Sequence, residues 1–198
     1  MRVLLKTMVL LATGACSVER PAVAPSFVYE NFLGEGKPEY KITGTQIKLL
    51  DLPNRESSLV GTESISGEQV LPFDDVVTKV IKTGEIQISG DLSVQTRNFG
   101  AIQKLTKEMY YDESIAWVER TLTATDQPTL LMWMSEGNCL IKIKQTVNES
   151  RDCPTDSGNP WQLLNPPETE SWIKIELNQS KGWVEVDDRQ IREVDRNF

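Results

Sequence analysis

The most regular feature of the chain is a two-residue alternation of apolar and polar side chains. In residues 172–177 it puts Ile173, Ile175 and Leu177 on one face and Lys174 and Glu176 on the other, as in a strand with one buried side. Residues 140–144 and 183–186 alternate in the same way, and residues 129–134 form a compact apolar run of strand length. Asn178, Gln179, Ser180, Lys181 and Gly182 separate two of these runs and predict a hairpin loop. No apolar stripe of helical period is sustained over an ordinary helix length. The best candidate, residues 102–110, gives two turns. An all-β protein is the expectation.

The start of the chain has a different pattern. Arg2 and Lys6 make a short basic start, residues 7–12 supply an apolar core, and Thr13, Gly14 and Ala15 then lead to Cys16. About 20 apolar residues are needed to cross a bilayer, so this reads as a secretion signal rather than a spanning helix. The ending resembles the lipobox of bacterial lipoproteins, in which small residues precede a cysteine that becomes the lipidated first residue. Thr13 stands where leucine is usual. The resemblance implies a signal peptide over 1–15 and a lipid on Cys16, with ordinary cleavage nearby or a retained N-terminal strand as alternatives. Ser17 behind the cysteine, rather than Asp, points by the same resemblance to the outer membrane. Pro21, Pro25, Gly34, Gly36 and Pro38 make residues 16–41 read as a tether.

Residues 46–52 then run as a strand into Pro53. Ser57, Ser58, Leu59, Val60, Gly61 and Thr62 come next, and after them Ser66, Gly67, Glu68, Gln69 and Val70. Val77, Thr78, Lys79, Val80 and Gly84, Glu85, Ile86 complete the stretch. This succession resembles the bacterial SH3-like domain family, whose pattern opens on a strand and Gly-Pro and closes on Trp-x-Lys-Val and Gly-Trp-Val strands. Leu50 replaces a common arginine, Leu52 the glycine before proline, and Glu85 the tryptophan. Trp172, Ile173, Lys174, Ile175 and Gly182, Trp183, Val184 match the closing strands more fully. The resemblance implies one or two small SH3-like β-barrels: an SH3-like module over 42–90 and a second β domain over 91–198.

Composition narrows the function. The 198 residues are 39% hydrophobic and 25% charged, which suits an ordinary folded protein. Histidine is absent, which removes Ser-His-Asp and Cys-His machinery and His-ligated zinc or haem. No phosphate-binding glycine loop or nucleophile elbow stands in its place, so no catalytic residue, metal or cofactor is expected. The net charge is −8, and −10 once Arg2 and Lys6 leave with the signal. Such a surface repels a phosphate backbone, and no nucleic-acid partner is expected. With Cys16 acylated, Cys139 and Cys153 remain as an even pair in an oxidising compartment. A bridge between them closes a 15-residue loop, worth about 3 kcal/mol in the chain-entropy account. Two buried thiols are the alternative.

Recognition chemistry is what remains. All five tryptophans, Trp117, Trp133, Trp161, Trp172 and Trp183, fall in the second half. Such rings serve either as platforms for sugars and peptides or as core and barrel plugs. Trp161, between Pro160 and Pro166–Pro167, is expected to be exposed in a loop. Tyr110 and Tyr111, with Asp112 and Glu113 directly behind them, read as a recognition loop or a solvated turn. Tyr110, Tyr111, Trp161 and Trp183 are therefore the candidate ligand-binding residues. The paired acids Asp74–Asp75 and Asp187–Asp188 lack a calcium-loop spacing and read as turn acids. Asn148 and Asn178 begin glycosylation sequons that a bacterial lipoprotein would leave idle.

Together these features predict a non-catalytic binding module of the bacterial periplasm, held to a membrane only through its N-terminal lipid. Its partners would be peptidoglycan or an envelope protein. Two other classes fit: an inhibitor or immunity protein that blocks a toxin or lytic enzyme, its acidic surface speeding capture of a basic target, and a structural subunit of an envelope complex.

Overall fold

The computed structural model describes residues 26–31, 39–42, 44–134, 137–156, 160–187 and 191–194. Cys16, the 1–15 segment and Asp188 lie outside the described residues. The fold is all-β. Its first nine strands are β1 (Phe27–Asn31), β2 (Glu39–Ile42), β3 (Gln46–Leu50), β4 (Leu59–Ser64), β5 (Val70–Leu71), β6 (Phe73–Lys82), β7 (Gly84–Ile88), β8 (Leu92–Gly100) and β9 (Lys104–Leu105). One helical turn, α1 (Lys107–Tyr110), comes next. Then come β10 (Val118–Leu122), β11 (Thr129–Trp133), β12 (Cys139–Ile143), β13 (Thr146–Ser150), β14 (Trp161–Asn165), β15 (Glu168–Leu177), β16 (Ser180–Glu185) and β17 (Ile191–Val194). No helix among the described residues is long and apolar enough to cross a membrane.

Among the described residues three sheets result. The first has the order β4-β3-β16-β15-β6-β1-β9, the second β10-β8-β13-β12-β11-β7-β14, and a small third β17-β2-β5. All pairs are antiparallel except β1 with β9. Ile173 and Ile175 are fully buried, as alternation requires. They meet Ile47, Leu49, Val76 and Val184 of the first sheet and Tyr40, Ile42 and Ile191 of the small one. A second core joins Phe27, Tyr29, Val80 and Leu105 of the first sheet to Phe99, Leu131, Leu140 and Val147 of the second. The other face of the second sheet curls over a third core. Both edge strands contribute to it, through Leu122 on one side and Trp161 and Leu163 on the other.

Several expectations need correction. Within the stretch read as a tether, β1 and β2 are sheet strands. Phe27 and Tyr29 are 2% and 7% exposed, and β1 lies between β6 and β9. The apolar alternation of Phe27 and Tyr29 outweighs the surrounding proline and glycine punctuation. The helix expected over 102–110 shrinks to one turn, because Leu105 is drawn into a strand and Thr106 caps the turn directly behind it. Strands of the 42–90 segment are not one another's neighbours throughout, since β16 and β15 separate β3 from β6. β7 belongs to the second sheet, so both large sheets take strands from either side of residue 90, and neither sheet closes. Thr83 is the crossing point between them. A Cβ on Gly84 would lie 2.8 Å from the Asn165 carbonyl oxygen, so glycine is what lets the crossing pack this closely.

Two tethers fix the loops. Cys139 and Cys153 lie at disulfide distance, Cα atoms 5.8 Å apart, and join the start of β12 to the turn behind β13, as expected. In the β3–β4 loop, Arg55 pairs with both oxygens of Glu185 and reaches Glu170 at 3.0 Å. That fold-back pins the loop beside Trp172 and Trp183 on the outer face of the first sheet.

Candidate functional site

The register of β8, β13 and β12 buries a charged side chain, Glu149, among the described residues. It sets Arg97 opposite Glu149 and Glu149 opposite Leu140, on the face that carries the second core. The Glu149 side chain is 1% exposed and that of Arg97 13%. Two charges taken so far out of water need full compensation, and they have it. Arg97 donates from Nε and Nη2 to Glu149 Oε2, both at 2.6 Å. The other oxygen, Oε1, accepts from the Tyr110 hydroxyl at 3.2 Å and from Asn138 Nδ2 at 2.8 Å. Asn138 is placed by its neighbour Cys139 and by the Met134 amide, which donates to the Asn138 carbonyl at 2.8 Å.

Aromatic rings surround the guanidinium. Arg97 lies 4.3 Å from the ring centre of Tyr110, 5.1 Å from Phe99 and 5.5 Å from Trp117. Arg151 lies 4.5 Å from the same Trp117 ring, and the Tyr111 ring meets Tyr110 edge-on at 5.2 Å. The result is a ladder in which cations and rings alternate from Arg151 through Trp117 and Arg97 to Tyr110, with Tyr111 as a second ring at its end. Its middle is packed, Trp117 is half-buried, and its ends, Arg151 and Tyr111, are exposed. Contacts of this kind are worth about 0.5–2 kcal/mol each.

The short segment between β9 and β10 delivers three of these rings. Thr106 caps α1, and the Tyr111 amide closes its turn on the Lys107 carbonyl. Asp112 then accepts from the amide and hydroxyl of Ser114, which holds its carboxyl below the usual range and reverses the chain toward Trp117. Asp112 is thus a turn acid. Burial and the Glu149 charge push the Tyr110 phenol up to about 12, against the pull of Arg97. Burial also pushes the Tyr29 phenol up, beside the Tyr110 ring.

Of the four residues expected to bind a ligand, the structure brings Tyr110 and Tyr111 together and leaves the other two elsewhere. Trp161 is not exposed in a loop. It is 5% exposed in the core of the second sheet, because the flanking prolines bound a strand rather than interrupt one. Trp183 is 7% exposed and packs with Val77 and Trp172, with Lys174 over its ring. Arg97, Asn138, Glu149 and Arg151, and Trp117 as their partner, escape sequence reasoning, since only the pairing of distant strands and the loops beside them brings them together. Asn148 is fully buried with its amide on Thr146, and Asn178 donates to Glu63. Asp74 pairs with Lys181, and burial raises Asp75 while the Val76 amide opposes it. Among the described residues no group of three potential metal ligands comes together. Comparison of the chain with protein-family models, with curated proteins and with solved structures finds no match.

Proposed function

We propose that the protein is an envelope-anchored, non-catalytic binding module that engages the cell wall or an envelope protein through the Arg151-to-Tyr111 ladder. The observation that carries this reading is the ladder itself. It gathers three aromatic rings and two guanidinium groups at one site, which suits stacking and hydrogen bonding to a polar ligand. The SH3-like reading finds support in the first sheet. There β4 and β3, from the stretch resembling the family's opening, lie beside β16 and β15, from the stretch resembling its close. One module assembled from both stretches replaces the notion of two copies. Phe27 follows Cys16 by eleven positions, so a lipid on Cys16 would hold the body within about 40 Å of the membrane.

The test is capture by the purified full-length protein from envelope extract, alongside sedimentation with purified peptidoglycan sacculi. Retention on sacculi, or one stoichiometric envelope protein, is expected, and Trp117→Ala should abolish it. A stoichiometric basic lytic enzyme would establish the inhibitor reading instead. Retention unchanged by Trp117→Ala would remove the ladder from the function.

A further inference from the structure

We propose that the open end of the ladder, the Arg151 guanidinium over Trp117, receives a carboxylate of an otherwise uncharged ligand, such as the free end of a short peptide. The inference rests on the binding-module reading and names the ligand chemistry of that site. In a chain of net charge −8, arginines find carboxylates readily. Arg55 meets Glu185 and Glu170, Arg97 meets Glu149, and Arg120 meets Asp126. Among the described residues Arg151 meets none. Glu119 lies across Gln95 from it in the register but accepts from Ser93 instead.

Arg151 is also held in place. Its amide donates to the Gln95 carbonyl at 3.1 Å, the Ser150 hydroxyl donates to the Asp152 carbonyl at 2.7 Å, and Cys153 is joined to Cys139 two residues on. The guanidinium carbon lies over the Trp117 ring, 4.5 Å from its centre. A cation fixed in this way loses less freedom on binding than a free surface arginine. Its fork of N–H donors matches a carboxylate or a phosphate. The net charge disfavours a dianion near this surface, and the rings of Trp117 and Tyr111 offer apolar contact to the rest of the ligand. Both features favour the carboxylate.

The test uses the full-length protein in detergent and isothermal titration with three probes: N-acetyl-dialanine as the free acid, the same compound as its C-terminal amide, and inorganic phosphate. The acid should bind with about millimolar affinity, as suits one ion pair on a small ligand. The amide and phosphate should each bind at least roughly tenfold more weakly. Arg151→Gln should lower affinity for the acid by a similar factor while the melting temperature falls only slightly, because the exposed side chain gives up no more than its one contact with Trp117. The proposal is overturned if the acid gives no binding, if acid and amide bind equally, if phosphate binds as well as the acid, or if Arg151→Gln has no effect. Retention on sacculi or an envelope protein despite any of these results leaves the binding module standing and removes only the carboxylate.

Discussion

Arg97 and Glu149 compensate each other so fully that neither is tolerable alone. Arg97→Met keeps most of the stem but strands a buried carboxylate, and should cost about 3–5 kcal/mol in a urea titration. Adding Glu149→Leu should recover part of that loss, since the stranded charge is gone while the Tyr110 hydroxyl and the Asn138 amide lose their acceptor. A single-mutant loss below about 1 kcal/mol, or no recovery in the double mutant, would mean that the pair is not the buried unit described. Tyr110 adds a pH dependence. Burial, with the Glu149 charge, pushes its phenol up to about 12 from its ordinary value near 10, so its contribution is intact below pH 10 and is lost as pH rises through 12. The stability margin of the native protein over Tyr110→Phe should therefore shrink between pH 10 and 12. A constant margin contradicts the account. At this scale the sequence made Tyr110 and Tyr111 visible as an aromatic pair. Arg97 and Glu149 are 52 positions apart, and nothing local in either strand announces the other.

Elements were the most legible level, because alternation is a local signal. β12, β15 and β16 lie where the period of two puts them, and Asn178 and Gln179, both with positive φ, form the hairpin turn between β15 and β16. The pattern misleads where proline and glycine punctuation borders a strand. Pro160 and Pro166–Pro167 mark the ends of a strand that buries Trp161 and Leu163, and the prolines and glycines around β1 conceal Phe27 and Tyr29. The Cys139–Cys153 link was legible from parity, and it closes a loop that contains β12 and β13. Cys153→Ser should lower stability by about 2–5 kcal/mol. If a non-reducing peptide map shows both cysteines as alkylated thiols, or the variant is as stable as the native chain, the link contributes nothing.

For the whole molecule, the order of strands was beyond reach. Sheet order depends on pairings between distant segments, and an alternating strand carries no record of which neighbour it takes. Thus β1 is enclosed by β6 and β9, and β6 by β1 and β15, although each reads alone as an independent strand. That interleaving also creates the ladder, where β8, β13 and the 106–117 segment converge. The claim that this corner is the working surface is tested most directly by photo-crosslinking in intact cells, from a photoreactive residue in place of Tyr111 or of Leu164. The two are equally exposed, at 52% and 51%, but Leu164 lies on β14, at the far edge of the second sheet. Position 111 should yield a discrete adduct with an envelope component and position 164 none; identical products from both, or an adduct from position 164 alone, would contradict the account.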